Sequence, residues 1–331
     1  LSSSQLSGPQ LACHCWQYSP PVPVEANFPL FVIFTSGSTG KPKGVVHCHG
    51  YLPGIMLTMS TCFDAAPGRD TALVVATPGW ITGQSYMIAG TLASRVVTVV
   101  SPANLISPHL YRFAGMIKHY RVSIFKAGVT FLKAVMADAA AQDTLQQYEL
   151  HASLKVATFC AEPVNPTVQR FGMECVTSHY INSYWGTEHG GVVLTCPFGN
   201  NDHQPLLPDA RTYSLPWIFA EVWEAVGEGH QEAGAWKTGE VVITKPYPYL
   251  ARTLWGSQGQ VLEQGWTGDL DRFERVYFLR FAGTYAFCQG DLAMVGSQGQ
   301  FYLTGRSDDV MNINGVRVGT GELEAAILKD K

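Results

Sequence analysis

The residues best suited to chemistry lie close together in the segment FTSGSTGKPKG, residues 34–44. The segment holds three glycines, two serines, two threonines and two lysines. Glycine lets the backbone fold tightly around an anion, hydroxyl and amide groups donate hydrogen bonds to phosphate oxygens, and lysine adds positive charge. The apolar run 30–34 precedes it and predicts a buried β-strand. The sequence therefore predicts a triphosphate-binding loop at the end of a strand.

The spacing of this segment differs from that of a Walker A loop. A Walker A motif has a glycine five residues before its Gly-Lys pair and a serine or threonine after that pair. Thr35 and Pro42 occupy those positions here. Proline also lacks the N–H that the first turn of a Walker helix donates to phosphate. A Ser/Gly-rich turn without a ligand is the alternative interpretation.

The composition of the 331-residue chain is that of a globular protein with a large core, because 46% of the residues are hydrophobic and 15% are charged. A net charge of −4 gives no indication of a nucleic-acid or anionic-membrane partner. The longest apolar runs have the length of a strand and not of a membrane span. The first ten residues lack a signal-peptide pattern. They also lack an initiator methionine, so we expect that residue 1 is not the native beginning.

The eight cysteines have neither the spacing of a zinc site nor that of a disulfide framework. Metal-binding residue types cluster at Cys13–Cys15 and His47–His49. Neighbouring side chains on a strand point to opposite faces, so neither cluster forms a metal site by itself. Reduced thiols in a cytoplasmic protein are the preferred interpretation.

Strand-like and helix-like segments alternate in the first half of the chain. The strand candidates are 31–35, 72–76, 96–100, 123–126 and 154–159, and the helix candidates are 51–59, 84–94, 108–119 and 131–141. This alternation predicts a parallel α/β sheet. From about Tyr180, short strands at 192–196, 219–225, 239–244 and 300–304 are separated by Gly, Pro and Asp turns and predict a β-rich subdomain. Thr320 is the predicted N-cap of a final helix.

Five further motifs follow the phosphate loop. They are GWITGQSY at 79–86, AEPVNP at 161–166, NSYWGTEHGG at 182–191, YAFCQGDLA at 285–293 and GQFYLTGRSDDVMNINGVRVGTGELEAAI at 299–327. From Leu30 to Ile327 the chain thus resembles the adenylate-forming enzymes, the superfamily of acyl-CoA synthetases, luciferases and nonribosomal adenylation domains. The resemblance is greatest to acetyl-CoA synthetase and its short-chain relatives.

This resemblance implies an α/β fold in four parts. A partial N-terminal segment, 1–29, precedes an α/β nucleotide-binding subdomain, 30–180, built on mixed or parallel sheets flanked by helices. The β-rich remainder of the large adenylation domain follows at 181–307. Residues 308–331 correspond to the hinge and the beginning of a truncated, small and mobile C-terminal domain.

The resemblance assigns phosphate and metal roles to three predicted catalytic residues. Glu188 matches the position that holds the Mg²⁺ accompanying ATP, a hard cation suited to a carboxylate, and Thr187 matches a hydroxyl that contacts the α-phosphate. Arg306 matches an arginine at the ribose and α-phosphate, where forked charged donors stabilise negative charge. A Thr-Glu pair in an ordinary turn is the alternative for the first two. The predicted phosphate-loop residues are Thr35, Ser36, Gly37, Ser38, Thr39, Gly40 and Lys43.

Asp291 is predicted to bind the ribose hydroxyls, because a carboxylate accepts two hydrogen bonds at once. It precedes Arg306 by fifteen residues, the spacing of the family, although the family's Tyr-x-x-Gly-Asp is two residues longer here. Asp269 forms a competing Gly-Asp pair, which we interpret as a solvated turn. The remaining matches are Ala161, Glu162, Pro163 and Asn182 at adenine, Asp308 at the hinge, and Arg317 at a further nucleotide-binding position.

The predicted acyl pocket is formed by Trp185 together with Ile81, Thr82 and Cys160. In the acetyl-CoA synthetase branch a tryptophan at this position closes the pocket to all but small acids. Steric exclusion of longer chains is sharp, whereas a missing methylene costs only about 1–3 kcal/mol, so the lower size limit is weaker. The alternative is that Trp185 is an ordinary core residue.

These matches predict an AMP-forming ligase for a short-chain acid such as acetate, propionate or 3-hydroxypropionate. The carboxylate attacks the α-phosphate of Mg·ATP to give acyl-adenylate and pyrophosphate, and the CoA thiol then displaces AMP; the protein positions the reactants and stabilises charge. The implied partners are the acid, ATP and CoA, with further domains of the same polypeptide or a homo-oligomer left open.

Two alternative functions stay open because the chain lacks the family's C-terminal adenylation lysine and basic CoA-binding residues. The first is the ligase part of a multidomain synthase such as propionyl-CoA synthase. The second is a nucleotide-binding module without turnover.

Overall fold

A computed structural model of the chain describes residues 20–35, 42–101, 105–160, 163–198, 206–227, 229–256, 268–307 and 327. For residues 311–313 and 316–318 it describes only the backbone. The strands of these residues are β1 (Pro29–Thr35), β2 (Lys43–Cys48), β3 (Thr71–Val74), β4 (Val97–Val99), β5 (Ile124–Gly128), β6 (Val156–Cys160), β7 (Tyr180–Ile181), β8 (Ser183–Tyr184), β9 (Leu194–Thr195), β10 (Tyr213–Ser214), β11 (Ala220–Val226), β12 (Gly229–Glu232), β13 (Thr238–Ile243), β14 (Thr253–Leu254), β15 (Phe287–Val295), β16 (Phe301–Arg306), β17 (Met311–Ile313) and β18 (Val316–Val318). The helices are α1 (Tyr51–Phe63), α2 (Gly90–Ala93), α3 (Arg112–Tyr120), α4 (Val129–Met136), α5 (Ala139–Tyr148), α6 (Pro166–Cys175) and α7 (Leu270–Tyr277), with a π-helix at Gly83–Ala89 and a 3₁₀ turn at Leu150–Ala152.

A parallel sheet occupies the first half of the described chain, with its strands in the order β4-β3-β5-β6-β7. Residues of helices α3 to α6 pack against it in a core that includes Phe113, Leu132, Leu145 and Phe171. The inner strands β5 and β6 are buried along almost their whole length, as expected when both faces of a parallel sheet are covered. The predicted α/β class is confirmed.

The strand that precedes the predicted phosphate loop is not part of this parallel sheet. It pairs antiparallel with β2, which in turn pairs with β14, and Thr35 is the register partner of Lys43. The prediction of a buried strand is correct at Ile33 but wrong at Phe34, whose side chain is 66% exposed. Successive side chains of a strand point to opposite faces, and only one face of β1 here meets the core.

Two predicted helices differ from the observed ones. The segment predicted at 84–94 is the π-helix followed by α2, and the segment predicted at 131–141 is divided between α4 and α5. The division falls at Asp138, whose carboxylate accepts a hydrogen bond from Ala141 N at 2.7 Å and caps α5. Helices α6 and α7 were not predicted.

The second half of the described chain is mainly antiparallel. Its larger sheet has the strand order β12-β11-β13-β15-β16, and a smaller one has the order β10-β9-β8. The predicted β-rich character is confirmed, although the strand predicted at 192–196 is reduced to Leu194–Thr195. Asp291 on β15 and Arg306 on β16 are register partners. Their fifteen-residue spacing therefore returns the chain to a position directly opposite.

Some sequence predictions fall outside the described residues. These are the final helix after Thr320 and most of the loop 256–268. Among the residues that the structure describes, no helix is both long and apolar enough to cross a membrane.

Candidate active site

A cavity of about 280 Å³ lies where the carboxyl ends of the parallel strands meet the β15–β16 hairpin. Cys160 ends β6, and residues 182–187 follow β7, so two neighbouring parallel strands deliver their following residues to the same edge. Ligands of open α/β sheets bind at this edge. Nine of the predicted site residues line the cavity: Ile81, Thr82, Cys160, Pro163, Asn182, Trp185, Thr187, Asp291 and Arg306.

The other predicted site residues do not line the cavity or are not described. Thr35 and Lys43 lie at the facing ends of β1 and β2, and Glu188 directly follows a cavity residue. The rest lie outside the described residues: Ser36, Gly37, Ser38, Thr39, Gly40, Ala161, Glu162 and Asp308. Of Arg317 only the backbone, within β18, is described.

Asp291 is held by three donors at the cavity wall. Its Oδ2 accepts hydrogen bonds from Tyr184 Oη at 2.7 Å and Gln289 Nε2 at 2.8 Å, and its Oδ1 accepts one from Arg306 Nη1 at 3.3 Å. Burial raises the pKa of Asp291, while these donors and the arginine charge pull it down. The preceding Gly290 has φ +85°, which favours glycine at this irregular point of β15.

Asp269, the competing candidate, has a different role. Its carboxylate accepts a hydrogen bond from Arg272 N at 3.1 Å and caps the N-terminus of α7. It is half-buried and does not line the cavity. The interpretation as a solvated turn is therefore wrong, because the sequence analysis did not predict the helix that this aspartate caps.

Arg306 lies at the open side of the cavity. Its Nη2 donates to the carbonyl of Gln289 at 3.2 Å, and its side chain is 44% exposed. The Asp291 side chain is only 13% exposed, so the arginine is the solvent-facing partner of this ion pair. The guanidinium carries a fixed positive charge at the cavity wall, where it can attract an anion.

Asn182 has its amide orientation fixed by the fold. Its Nδ2 donates to Ala210 O at 2.8 Å, while its backbone carbonyl accepts from Thr195 Oγ1 at 2.7 Å. The amide oxygen is then the atom left to accept a hydrogen bond in the cavity. An acceptor is what an exocyclic amino group of a base requires.

The turn that carries Thr187 and Glu188 is anchored from two directions. His47 on β2 donates from Nε2 to the carbonyl of Thr187 at 2.8 Å, since a carbonyl only accepts. Ser85 on the π-helix donates to Gly190 O at 2.6 Å. These bonds tie the turn to the strand after the phosphate loop and to the helix that leads from the predicted acyl pocket.

Glu188 lies beside this cavity and is almost fully buried. Its Oε1 accepts a hydrogen bond from the hydroxyl of Tyr277, and Lys43 Nζ lies 4.9 Å from the centre of the Tyr277 ring. No cluster of three metal-binding side chains occurs among the described residues. Mg²⁺ needs no such cluster when it takes one or two carboxylates together with substrate phosphates and waters, so this single carboxylate fits that ion.

Trp185 is both a core residue and a wall of the cavity. Its side chain is 8% exposed, and Tyr86 contacts it edge-on at 5.1 Å between ring centres. The other predicted acyl-pocket residues, Ile81, Thr82 and Cys160, are also buried. The two interpretations of Trp185 are therefore compatible, because one face packs while another lines the cavity.

The sequence analysis missed several cavity residues. They are Trp80, Ser183, Tyr184, Gly186, Gln289, Leu303 and Gly305. Gln289 had a detectable signal, since it stands two residues before Asp291 on the same strand and side chains two apart share a face. A Cβ at Gly186 would lie 2.7 Å from Gln289 Nε2, so a larger residue there would displace the amide that contacts Asp291.

Two buried histidines predict a loss of stability in acid. Burial lowers the pKa of His47 to about 4 and that of His189 to about 3, whereas an unfolded histidine has a pKa of about 6.5. Below pH 6.5 these two histidines therefore bind protons in the unfolded chain but not in the folded chain. Stability that is full above pH 6.5 should fall by about 1.4 kcal/mol per pH unit for each histidine as the pH drops toward 4.

Denaturant unfolding from pH 8 to pH 4 tests this expectation. His47→Gln should reduce the slope of unfolding free energy against pH by the contribution of one proton, about 1.4 kcal/mol per pH unit. The same change at exposed His119 should leave this slope unaltered. Equal slopes in all three proteins would mean that His47 is not buried in the neutral form.

Comparisons with known proteins agree with this geometry. Residues 3–255 match the family described as AMP-binding enzyme. The chain is 36% identical over 327 residues to acetyl-coenzyme A synthetase of Wolinella succinogenes, and this match covers 96% of the chain and 46% of the relative. It is 35% identical to the enzyme of the same name from Herminiimonas arsenicoxydans, with coverage of 93% and 45%. The chain thus spans about half the length of these relatives.

A solved structure shows the same fold. The anthranilate CoA ligase AuaEII, in complex with anthranoyl-AMP, superimposes with a TM-score of 0.70 over 90% of this chain and 51% of that chain. The two sequences are 17% identical, so this likeness supports the fold alone.

Proposed function

We propose that this chain, which belongs to the AMP-binding enzyme family, is part of an AMP-forming ligase that joins a short-chain carboxylic acid to CoA through an acyl-adenylate. Acetate, propionate and 3-hydroxypropionate are the candidate acids. ATP, Mg²⁺ and CoA are the proposed cosubstrates and metal. A cytoplasmic setting suits these reactants and the cysteines that the structure describes, none of which forms a disulfide bond.

The observation that carries the proposal is the composition of one cavity. Polar groups suited to a nucleotide (Asn182, Thr187, Asp291 and Arg306) and buried apolar walls (Ile81 and Trp185) line the same space. A nucleotide-binding site alone needs only the polar set. The adjoining apolar walls supply a place for a small acyl group next to the bound phosphate.

The chemistry needs positioning and charge stabilisation more than covalent help. An acid carboxylate oxygen forms a bond to the α-phosphorus of ATP as the bond to pyrophosphate breaks. Arg306 and Thr187 face this region and stabilise the negative charge that spreads over the phosphate oxygens. Glu188 would offer an oxygen to Mg²⁺, which neutralises phosphate charge when bound.

The second half-reaction uses the same acyl group. The CoA sulfur forms a bond to the acyl carbon, AMP leaves with the electron pair of the broken carbon–oxygen bond, and the thiol proton passes to solvent. No side chain of the described cavity has to act as a nucleophile. Asp291 retains AMP by its ribose during this step, because both of its oxygens can accept hydrogen bonds.

ATP–pyrophosphate exchange on the full-length protein tests the proposal. Acetate, propionate, acrylate, 3-hydroxypropionate and butyrate would be supplied separately with Mg·ATP. Exchange with at least one short acid, followed by acyl-CoA formation on addition of CoA, is the expected result. Nucleotide binding without exchange for any acid would contradict it and favour a binding module.

Trp185→Gly is expected to shift acid preference toward longer chains. Removing the indole opens space in which each added methylene, once buried, contributes about 0.8 kcal/mol, so the relative rate should rise from butyrate to hexanoate. Selection for acetate over propionate should weaken. The measurement is kcat/KM across straight-chain acids, and an unchanged length profile in a folded, active variant would place the length limit elsewhere.

A further inference from the structure

Lys126 is a fully buried lysine that the proposed chemistry does not use. It lies on β5, its side chain is 1% exposed, and no carboxylate of the described residues pairs with it. Within the part of the chain that the structure describes, its side chain donates one hydrogen bond, to Ser183 Oγ at a long 3.4 Å. A buried ammonium without a counter-ion is costly, so its surroundings must compensate by other means.

Aromatic rings provide that compensation. Lys126 Nζ lies 4.8 Å from the centre of the Tyr86 ring, 5.1 Å from that of Trp185 and 5.9 Å from that of Phe63. A cation within about 6 Å of a ring centre is attracted by the electron-rich face, most strongly for tryptophan and when water is excluded. Three elements distant in sequence thus converge on one ammonium.

Trp185 depends on these neighbours for its orientation. Its Nε1 is buried and has no hydrogen-bond partner among the described residues, so none of them fixes the indole by a polar bond. The remaining restraints are packing, the edge-on contact with Tyr86 and the charge of Lys126. These contacts therefore determine how firmly the cavity wall formed by Trp185 is held in place.

We propose that Lys126 is a positioning residue that determines acid length: its ammonium holds the Trp185 indole in the orientation that closes the acyl pocket. The inference rests on the proposed function. Lys126 does not line the cavity, and it acts on the acid only through Trp185.

Titratable and polar groups from several elements face Lys126. They are Cys62 on α1, Cys160 on β6, Tyr86 on the π-helix and Ser183 on β8. Burial raises the pKa of Cys62 to about 12 and that of Tyr86 well above its ordinary value, and Cys160 Sγ donates to Ala127 O. Burial lowers the pKa of Lys126, so the ammonium loses its proton before those of Cys62 and Tyr86 as the pH rises.

The test compares Lys126→Met, which keeps length and loses charge, with Lys126→Arg, which keeps a cation. Lys118→Met is the matched control, because Lys118 lies 5.7 Å from the Tyr148 ring in an exposed contact away from the cavity. The full-length protein is assayed for the ratio of kcat/KM with butyrate to that with acetate. We expect Lys126→Met to raise this ratio about fivefold or more, with the other two variants staying within about twofold of wild type.

A second measurement covers the case in which the variants fold poorly. The same ratio in the wild-type protein should rise between neutral and alkaline pH as Lys126 loses its charge, and effects common to both acids cancel in it. In a Trp185→Gly background, Lys126→Met should produce no additional rise.

Each outcome bears on the inference. A folded, active Lys126→Met protein with the wild-type ratio, or a wild-type ratio that does not vary with pH, would overturn it, even if stability falls. A wild-type protein that activates no acid would instead contradict the proposed function.

Discussion

Asp291→Ala is expected to weaken ATP binding about 100-fold, whereas Asp269→Ala should leave it close to the wild-type value. The carboxylate at 291 can accept both vicinal hydroxyls of a ribose, and hydrogen bonds to a charged group contribute about 1.5–3 kcal/mol each. Losing both therefore predicts an effect of at least that size. The change also leaves the partly buried donors of Tyr184 and Gln289 without their acceptor.

Asp269→Ala is the matched control because it removes the other Gly-Asp carboxylate. Its loss should appear in stability, by about 1 kcal/mol, since it deprives α7 of its N-cap. Calorimetric titration with nucleotide measures the affinity for ATP, and denaturant unfolding measures the stability. Together they separate the two effects. If both variants lose ATP affinity equally, Asp291 is not the ribose residue.

Asp291→Asn distinguishes ribose binding from local packing. The amide keeps the shape and one acceptor oxygen but cannot accept two hydroxyls on two oxygens. An affinity between those of wild type and alanine is the expected result.

The cavity residues that the sequence predicted are those embedded in long, distinctive motifs. Asn182, Thr187 and Arg306 are examples, and each lines the cavity. Tyr184 was missed although it lies within one of these motifs, because its hydroxyl acts on Asp291, more than a hundred residues away. Only the tertiary fold brings that donor and acceptor together.

Sheet partners were less predictable than strand positions. The apolar run at β1 correctly predicted a strand, but nothing in a local pattern states which strand it pairs with or in which direction. The antiparallel pairing with β2 places Thr35 opposite Lys43, so both ends of the phosphate segment meet. A parallel arrangement would have separated them by a crossover.

The burial of Lys126, like the pairing of β1, could not be predicted from the local sequence. A lysine in a strand usually indicates a solvent-exposed face, because an isolated ammonium is rarely buried. Its compensation comes from the rings of Phe63, Tyr86 and Trp185, which belong to three different segments. Sequence spacing does not encode that meeting, so the lysine gave no signal before the fold was known.

Glu188→Gln is expected to lower ATP–pyrophosphate exchange about 100-fold or more while the fold is kept, a loss of about 2.7 kcal/mol in transition-state stabilisation. The amide keeps the volume of the side chain and an oxygen that can accept the Tyr277 hydroxyl bond. It loses the negative charge that holds a divalent cation against phosphate repulsion. The defect should therefore appear mainly as a higher Mg²⁺ requirement and a lower maximal rate.

The measurement is exchange rate against Mg²⁺ concentration at fixed ATP, with thermal unfolding of the same samples. Glu232→Gln on β12 is the matched control, since it removes the same charge from an exposed position. A purely structural role for Glu188 would lower the unfolding temperature and leave the Mg²⁺ dependence unchanged. Near-wild-type exchange at saturating Mg²⁺ in a folded Glu188→Gln protein would show that another group holds the metal, because the substitution removes the charge at Glu188 and almost nothing else.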